Sequence, residues 1–312
     1  MIYNRIEKIG IIPVITLNDP SHAVSTANAL NKGGIPAAEI TFRTQAAAEG
    51  IRAISSELPE MLLGAGTVLK IEQAIQAVEA GAAFIVTPGF NPKVVDYCLK
   101  NDIPIIPGVS GASDIEQALD RGLKAVKIFP AEIIGGCALL KAYASVYGDM
   151  KFLPTGGIHS ENIASYLKLK NVLACGGSWM APSTLIDMGK FENITATTKQ
   201  AVLASLGFEL MHIGINESSR EKALETAQFF SSIFGFPLNE KKSSFFSSDR
   251  LEILKQGGTG TYGHIAIGVN RLSMAKRYLE ELGVTFDHST ETRKAIYLSD
   301  MISGFSVHLL EK

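Results

Sequence analysis

Residues 125–131 read AVKIFPA, an apolar run with one cation, Lys127, in its middle. A short apolar run closed by a proline reads as a buried strand. A lysine in such a strand gives up the hydration of its ammonium, which favours the neutral and nucleophilic amine. The alternative is a strand-edge lysine that reaches back to water. The neighbouring sequence decides between them. Upstream lies DIEQALDRGL (114–123), with helical spacing, and downstream a second apolar run, KFLPTGG (151–157). The same unit recurs along the first two thirds of the chain. Its strands are IIPVITL (11–17), AAEITFR (37–43), MLLGAGT (61–67), FIVTPG (84–89), IPIIPGV (103–109), AVKIFPA, KFLPTGG and LACGGSW (173–179). Helical patterns such as HAVSTANALNKGG and IEQAIQAVEAGA separate them. Regular strand–helix alternation implies parallel strands with helical crossovers. Eight units in about 200 residues imply an α/β fold of the (β/α)8 TIM-barrel kind. A doubly wound sheet is the alternative, but the glycine-rich GxGxxG turn expected after its first strand is absent.

Barrel active sites lie at the C-terminal strand ends, and the unusual residues of this sequence gather there. Glu39, Thr41 and Arg43 share one face of the second strand because side chains alternate with period two. Thr67, Thr87-Pro88, Thr155 and Ser178 close the third, fourth, seventh and eighth strands. Charges inside a barrel are costly unless paired, so Glu39 and Arg43 are either functional or an ion pair with each other or with Lys127. Gly156-Gly157 and Gly176-Gly177 stand at adjacent strand ends. Glycines let backbone N–H groups approach an anion, and this corner of a barrel is a common phosphate site.

The segments AEITFRT, GAGTVL, TPGF, IPIIPGV, VKIFPA, FLPTGGI and GGSWM, in this order over residues 5–204, resemble the bacterial 2-dehydro-3-deoxy-6-phosphogluconate and 4-hydroxy-2-oxoglutarate aldolases. The resemblance implies a homotrimeric, cytoplasmic class I aldolase that needs no cofactor. It implies Lys127 as the Schiff-base lysine and Glu39 as the general acid/base. Arg43 and Thr67 would hold the pyruvate carboxylate, and Pro88 and Thr155 would line the pyruvyl pocket. Gly156, Gly157, Gly176, Gly177 and Ser178 would receive the distal phosphate of a phosphorylated 2-keto-3-deoxy sugar acid. An aldolase for the phosphogalactonate epimer is the nearest alternative.

The barrel occupies residues 1–205, and the chain starts again near 204–208 with FELMHIGIN. Residues 206–312 hold an internal repeat. MHIGIN, a long helical pattern and strands ending RLEILK are followed by GHIAIGVN, another helical pattern and strands ending SVHLLE. Two such copies imply a smaller α+β domain of two βαβββ modules. TYGHIAIGV resembles the glyoxalase/vicinal-oxygen-chelate superfamily. That resemblance implies metal ligands on the first and last strands of each module, where this chain has His212, Glu252, His264 and His308. A histidine at 308 replaces the more usual second glutamate. Imidazole and carboxylate suit Zn, Ni, Co or Mn. The alternative is a metal-free module that assembles the aldolase, or one that controls it by sensing a metal or ligand.

Composition excludes several other classes. The formal charge of −2 argues against nucleic acid or an anionic membrane as partner. No apolar run approaches membrane-spanning length, and no secretory signal is expected from the charged opening residues. Cys98, Cys137 and Cys175 are scattered without CxxC spacing and read as reduced, buried thiols.

Overall fold

The computed structural model describes residues 2–312. Its contacts divide the chain into two compact units, Met1–Ser205 and Leu206–Lys312. In the first unit a helix, Ile2–Ile9, buries Ile6 and precedes the strands β1 (Ile11–Ile15), β2 (Ala37–Thr41), β3 (Leu62–Gly66), β4 (Phe84–Val86), β5 (Ile105–Ile106), β6 (Gly108–Val109), β7 (Ala125–Ile128), β8 (Lys151–Pro154) and β9 (Cys175–Gly177). Hydrogen-bonded neighbours run β5-β4-β3-β2-β1-β9 and β6-β7-β8, and every pair in these two sheets is parallel. The two arcs join into a ring. Pro107, which has no N–H to give the ladder, divides one stave into β5 and β6. The bridges Phe152↔Val172 and Thr155↔Gly176 tie β8, the seventh stave, to the eighth, β9. The result is an eight-staved parallel barrel with helices in the crossovers.

Local chemistry sets the crossovers. Asn91 caps the helix Pro92–Lys100 by accepting from the Lys93 N–H, with proline at the first helical position. The helix Ile71–Glu79 buries Ala74 and Ala77 and leaves its polar face outward. Phe84 is fully buried inside the barrel, and Phe152 is fully buried with its ring stacked on Tyr143 of the crossover helix Gly136–Val146. Gly64 faces the Phe84 ring so closely that a β-carbon would lie 2.3 Å from it.

The expected strands overrun the observed ones, mostly at their C-terminal ends. IIPVITL stops pairing at Ile15, AAEITFR at Thr41, FIVTPG at Val86, AVKIFPA at Ile128 and KFLPTGG at Pro154. Apolar residues continue past these points, but the backbone leaves the ladder at Pro88, Pro130 and the Gly156-Gly157 turn. Those loops form the mouth of the barrel.

The second unit is one mixed sheet with two helices. Its strands are β10 (Glu209–Asn216), β11 (Leu238–Glu240), β12 (Ser244–Ser247), β13 (Leu251–Leu254), β14 (Gly263–Val269), β15 (Phe286–Asp287), β16 (Ala295–Leu298) and β17 (Phe305–Glu311). The sheet order is β11-β12-β13-β10-β14-β17-β16-β15. Strands β10 and β14 are antiparallel at its centre, each with a parallel outer neighbour, β13 and β17. The helix Arg220–Phe234 is capped by Ser219, ends on left-handed Gly235, and packs Ala223 and Ala227 on Phe245 and Ile253.

Gly64→Ala is expected to lower the stability of the barrel by about 2 kcal/mol through overpacking against Phe84. Urea denaturation followed by tryptophan fluorescence, which reports Trp179 of the barrel alone, measures it.

Candidate active site and metal centre

Strand β2 carries Glu39 into the barrel and β7 carries Lys127. The two meet there with Nζ 3.1 Å from Oε1. Glu39 is completely buried and Lys127 is 5% exposed, so both charges have left water and each is the other's compensation. The second carboxylate oxygen of Glu39 is buried with no partner among the described residues, which leaves it free to act on a bound molecule. Lys127 Nζ also stands 5.6 Å from the centroid of the Phe129 ring. Room for the carboxylate comes from Gly66 on β3, where a β-carbon would lie 2.1 Å from Glu39 Oε1.

Toward the mouth is a cavity of about 130 Å³ lined by Val14, Thr16, Arg43, Phe129, Thr155, Gly156, Gly157, Ile158, Gly177 and Ser178. Gly156 and Gly157 have φ of 95° and 81°, a region that favours glycine. The chain beneath them is fixed by hydrogen bonds from Ala131 N to Thr155 O (2.8 Å) and from Glu132 N to Gly156 O (3.1 Å). Asn162 Nδ2 donates to the Gly157 carbonyl. The turn is thus held in place by bonds to the carbonyls of Thr155, Gly156 and Gly157.

Six sequence-chosen residues meet at this cavity: Arg43, Thr155, Gly156, Gly157, Gly177 and Ser178. Arg43 is exposed and lies beyond the end of β2, which corrects its expected place inside the barrel. The buried ion pair is Glu39 with Lys127, and the guanidinium is left at the rim. Gly176 underlies the wall: a β-carbon there would sit 2.3 Å from Thr155 Oγ1. Thr67 holds a left-handed φ of 55° just after β3. Pro88 presses its backbone against Gly108, while Thr87 accepts from Gly108 N and donates to Gly89 O. Neither Thr67 nor Pro88 lines the cavity. Cys98 and Cys175 are buried as expected, but Cys137 is only half-buried. Val14, Thr16, Phe129 and Ile158 escaped the sequence reading. The polar Thr16 at the end of an otherwise apolar first strand was the available signal.

In the second unit the four central strands bring His212, Glu252, His264 and His308 together. The ring nitrogens offered by the three histidines all lie within 4.8 Å of one another. His212 Nε2 and His264 Nε2 are 3.0 Å apart, and Glu252 Oε2 is 3.4 Å and 3.2 Å from them. Register explains the convergence. Gly214 pairs with both His264 and Glu252, and Ala266 pairs with both His212 and His308. Exchanging the two halves therefore superposes 212, 214 and 252 on 264, 266 and 308. Gly214 is needed because a β-carbon would fall 2.2 Å from the His264 ring. Ser244 donates to Glu252 Oε1 at 2.6 Å, and Tyr297 stacks on His308 at 4.7 Å.

Burial, helped by His264 and His212, pushes His308 down to about 4. Burial also pushes His212 down, against the opposing charge of Glu252. Burial pushes the Glu252 carboxyl up, but hydrogen bonds from His264 and Ser244 outweigh it and hold it below its usual range. Neutral imidazoles beside a carboxylate are the ionisation states that a metal ion requires. Because the folded pKa of His308 lies below its unfolded value, the unfolded chain binds the extra proton. Stability is complete above about pH 6.5 and is lost as pH falls toward 4, by up to about 3 kcal/mol. Urea titrations in EDTA over this range should show that slope, and His308→Phe should flatten it.

A family model described as KDPG and KHG aldolase matches residues 2–197. The 2-dehydro-3-deoxy-phosphogluconate aldolase of Treponema pallidum is 51% identical over 201 residues, covering 64% of this chain and 96% of that protein. The KHG/KDPG aldolase of Escherichia coli K12 is 42% identical over 192 residues, 62% of this chain and 90% of that protein. Among solved structures, the KDPG aldolase of Legionella pneumophila, with pyruvate captured as a covalent carbinolamine, is similar with a TM-score of 0.62 and 36% identity. It covers 64% of this chain and 98% of that one. The chain belongs to the KDPG and KHG aldolase family, and its barrel is that of a class I aldolase, a lyase that acts through a Schiff base.

Proposed function

We propose that the barrel cleaves 2-dehydro-3-deoxy-6-phosphogluconate to pyruvate and glyceraldehyde 3-phosphate, and 4-hydroxy-2-oxoglutarate to pyruvate and glyoxylate. The observation that carries this reading is the buried contact of Lys127 with Glu39. Glu39 is placed to take a proton from Lys127, which frees the amine to attack the 2-keto carbon. The carbinolamine then loses water to give an iminium, with Glu39 moving the protons. Glu39 next removes the C4 hydroxyl proton. The C3–C4 bond breaks, its electron pair passes into the iminium as an enamine, and the aldehyde leaves. Protonation of the enamine and hydrolysis release pyruvate and restore Lys127. Arg43 supplies a fork for the substrate's carboxylate, with Thr67, Pro88 and Thr155 shaping the pyruvyl end. Gly156, Gly157, Gly176, Gly177 and Ser178 form the phosphate corner.

Lys127→Ala is expected to abolish pyruvate release, followed by coupling to lactate dehydrogenase, and Lys127→Arg should not restore it. Wild-type turnover should be indifferent to EDTA. Substantial turnover by Lys127→Ala contradicts the assignment. A homotrimer built through the barrel is part of this reading. A cytoplasmic location is also part of this reading, and no described helix is long and apolar enough to cross a membrane.

For Leu206–Lys312 the favoured reading is a glyoxalase-like domain of two βαβββ modules that binds a divalent metal through His212, Glu252, His264 and His308. The donor set fits. Ligands around a tetrahedral ion stand roughly 3.4 Å apart for bonds of about 2.1 Å, close to the 3.0–3.4 Å spacings of His212, His264 and Glu252. His308 Nε2 is buried without a partner among the described residues, a costly state that a metal relieves. The ion would supply Lewis acidity at this face of the sheet. Zn, Ni, Co and Mn each suit these donors. Titration calorimetry on EDTA-stripped protein should show one ion per chain, and His264→Ala should weaken binding at least a hundredfold. Equal affinity in that variant contradicts the site.

A further inference from the structure

Thr16 is a polar wall of the aldolase cavity to which the mechanism above gives no task. It lies just past β1, half-buried, and shares the cavity with Arg43, Ser178 and the Gly156-Gly157 turn. Its Oγ1 is 2.9 Å from Thr41 Oγ1, which is itself 2.9 Å from the Ile15 carbonyl oxygen. A carbonyl cannot donate, so the single hydroxyl hydrogen of the fully buried Thr41 goes to Ile15. The contact between the two hydroxyls must then use the hydrogen of Thr16. Thr16 therefore spends its proton on the wall and turns only lone pairs toward the cavity. Donating along this chain also makes its oxygen a better acceptor.

That polarity selects a partner. Phosphate and carboxylate oxygens are acceptors at neutral pH and gain nothing from Thr16, whereas an alcohol can donate to it. The location selects further. Lys127 and Glu39 lie outside the walls of this cavity, while the glycine turn is one of them. Arg43 and Thr155, assigned above to the carboxylate and pyruvyl end, are walls too, so Thr16 stands along the path from that end to the phosphate. Glu39 takes the C4 hydroxyl proton on that path, which leaves the next hydroxyl to donate to Thr16.

We propose that Thr16 is a specificity-determining residue that accepts a hydrogen bond from a hydroxyl lying between the cleaved bond and the phosphate. In 2-dehydro-3-deoxy-6-phosphogluconate this is the C5 hydroxyl. The assignment rests on the phosphate lying at the glycine turn.

The test compares wild type, Thr16→Val and Thr16→Ser on 2-dehydro-3-deoxy-6-phosphogluconate and on its 5-deoxy analogue. One neutral hydrogen bond made alike in the ground and transition states moves KM and spares kcat. Thr16→Val should raise KM for the hydroxylated substrate about tenfold, leave kcat within about twofold, and leave the 5-deoxy analogue unchanged. Thr16→Ser should behave as wild type. Equal losses on both substrates, or a fall in kcat, would show that Thr16 only supports Thr41 and the Glu39 strand, and would overturn the proposal. Unchanged discrimination in Thr16→Val would overturn it too. A wild type that cleaves neither compound would instead bring down the substrate reading beneath it.

Discussion

One ion pair sealed inside a barrel constrains the first unit of this protein. Lys127 and Glu39 are almost completely removed from water and 3.1 Å apart. Loss of either would leave a buried charge uncompensated, at a cost of about 3–5 kcal/mol. The surroundings are shaped to keep them together. Gly66 vacates the volume that the carboxylate fills, and Gly108 on β6, beside Lys127, lets the Pro88 backbone approach. Schiff-base chemistry needs an amine and a carboxylate within reach of one another, and the barrel holds such a pair at 3.1 Å.

The second unit solves a related problem by symmetry. Four polar side chains from four adjacent strands converge because two copies of one strand pattern pair antiparallel at β10 and β14. Small residues, Gly214 and Ala266, lie between them in register. The substitution of a histidine at the step that Glu252 occupies in the other half changes the charge of the set without moving it.

Much of this was legible in the sequence for a physical reason. A charge within an apolar strand is costly, so Glu39 and Lys127 stood out, and the glycine pairs at 156–157 and 176–177 marked places where a side chain would obstruct. His212, Glu252, His264 and His308 were legible through the resemblance carried by TYGHIAIGV, which points to the first and last strands of each repeat. Other features left no such trace. The strands ended earlier than their apolar pattern, since proline and glycine stop pairing without stopping hydrophobicity. Arg43 was placed inside the barrel by alternation, but the strand ends at Thr41 and alternation ends with it. Thr16 resembles any β-branched strand residue, and its role rests on a hydroxyl chain that only the register of β1 and β2 creates. The contacts of Ser244 with Glu252 and of Tyr297 with His308 are likewise products of tertiary pairing.

The most direct test of the central claim is to reduce the protein with borohydride in the presence of pyruvate and to map the modified residue by peptide mass spectrometry. The account predicts one pyruvate adduct per chain, on Lys127. An adduct on a different lysine, or none under conditions where the enzyme turns over, would contradict it.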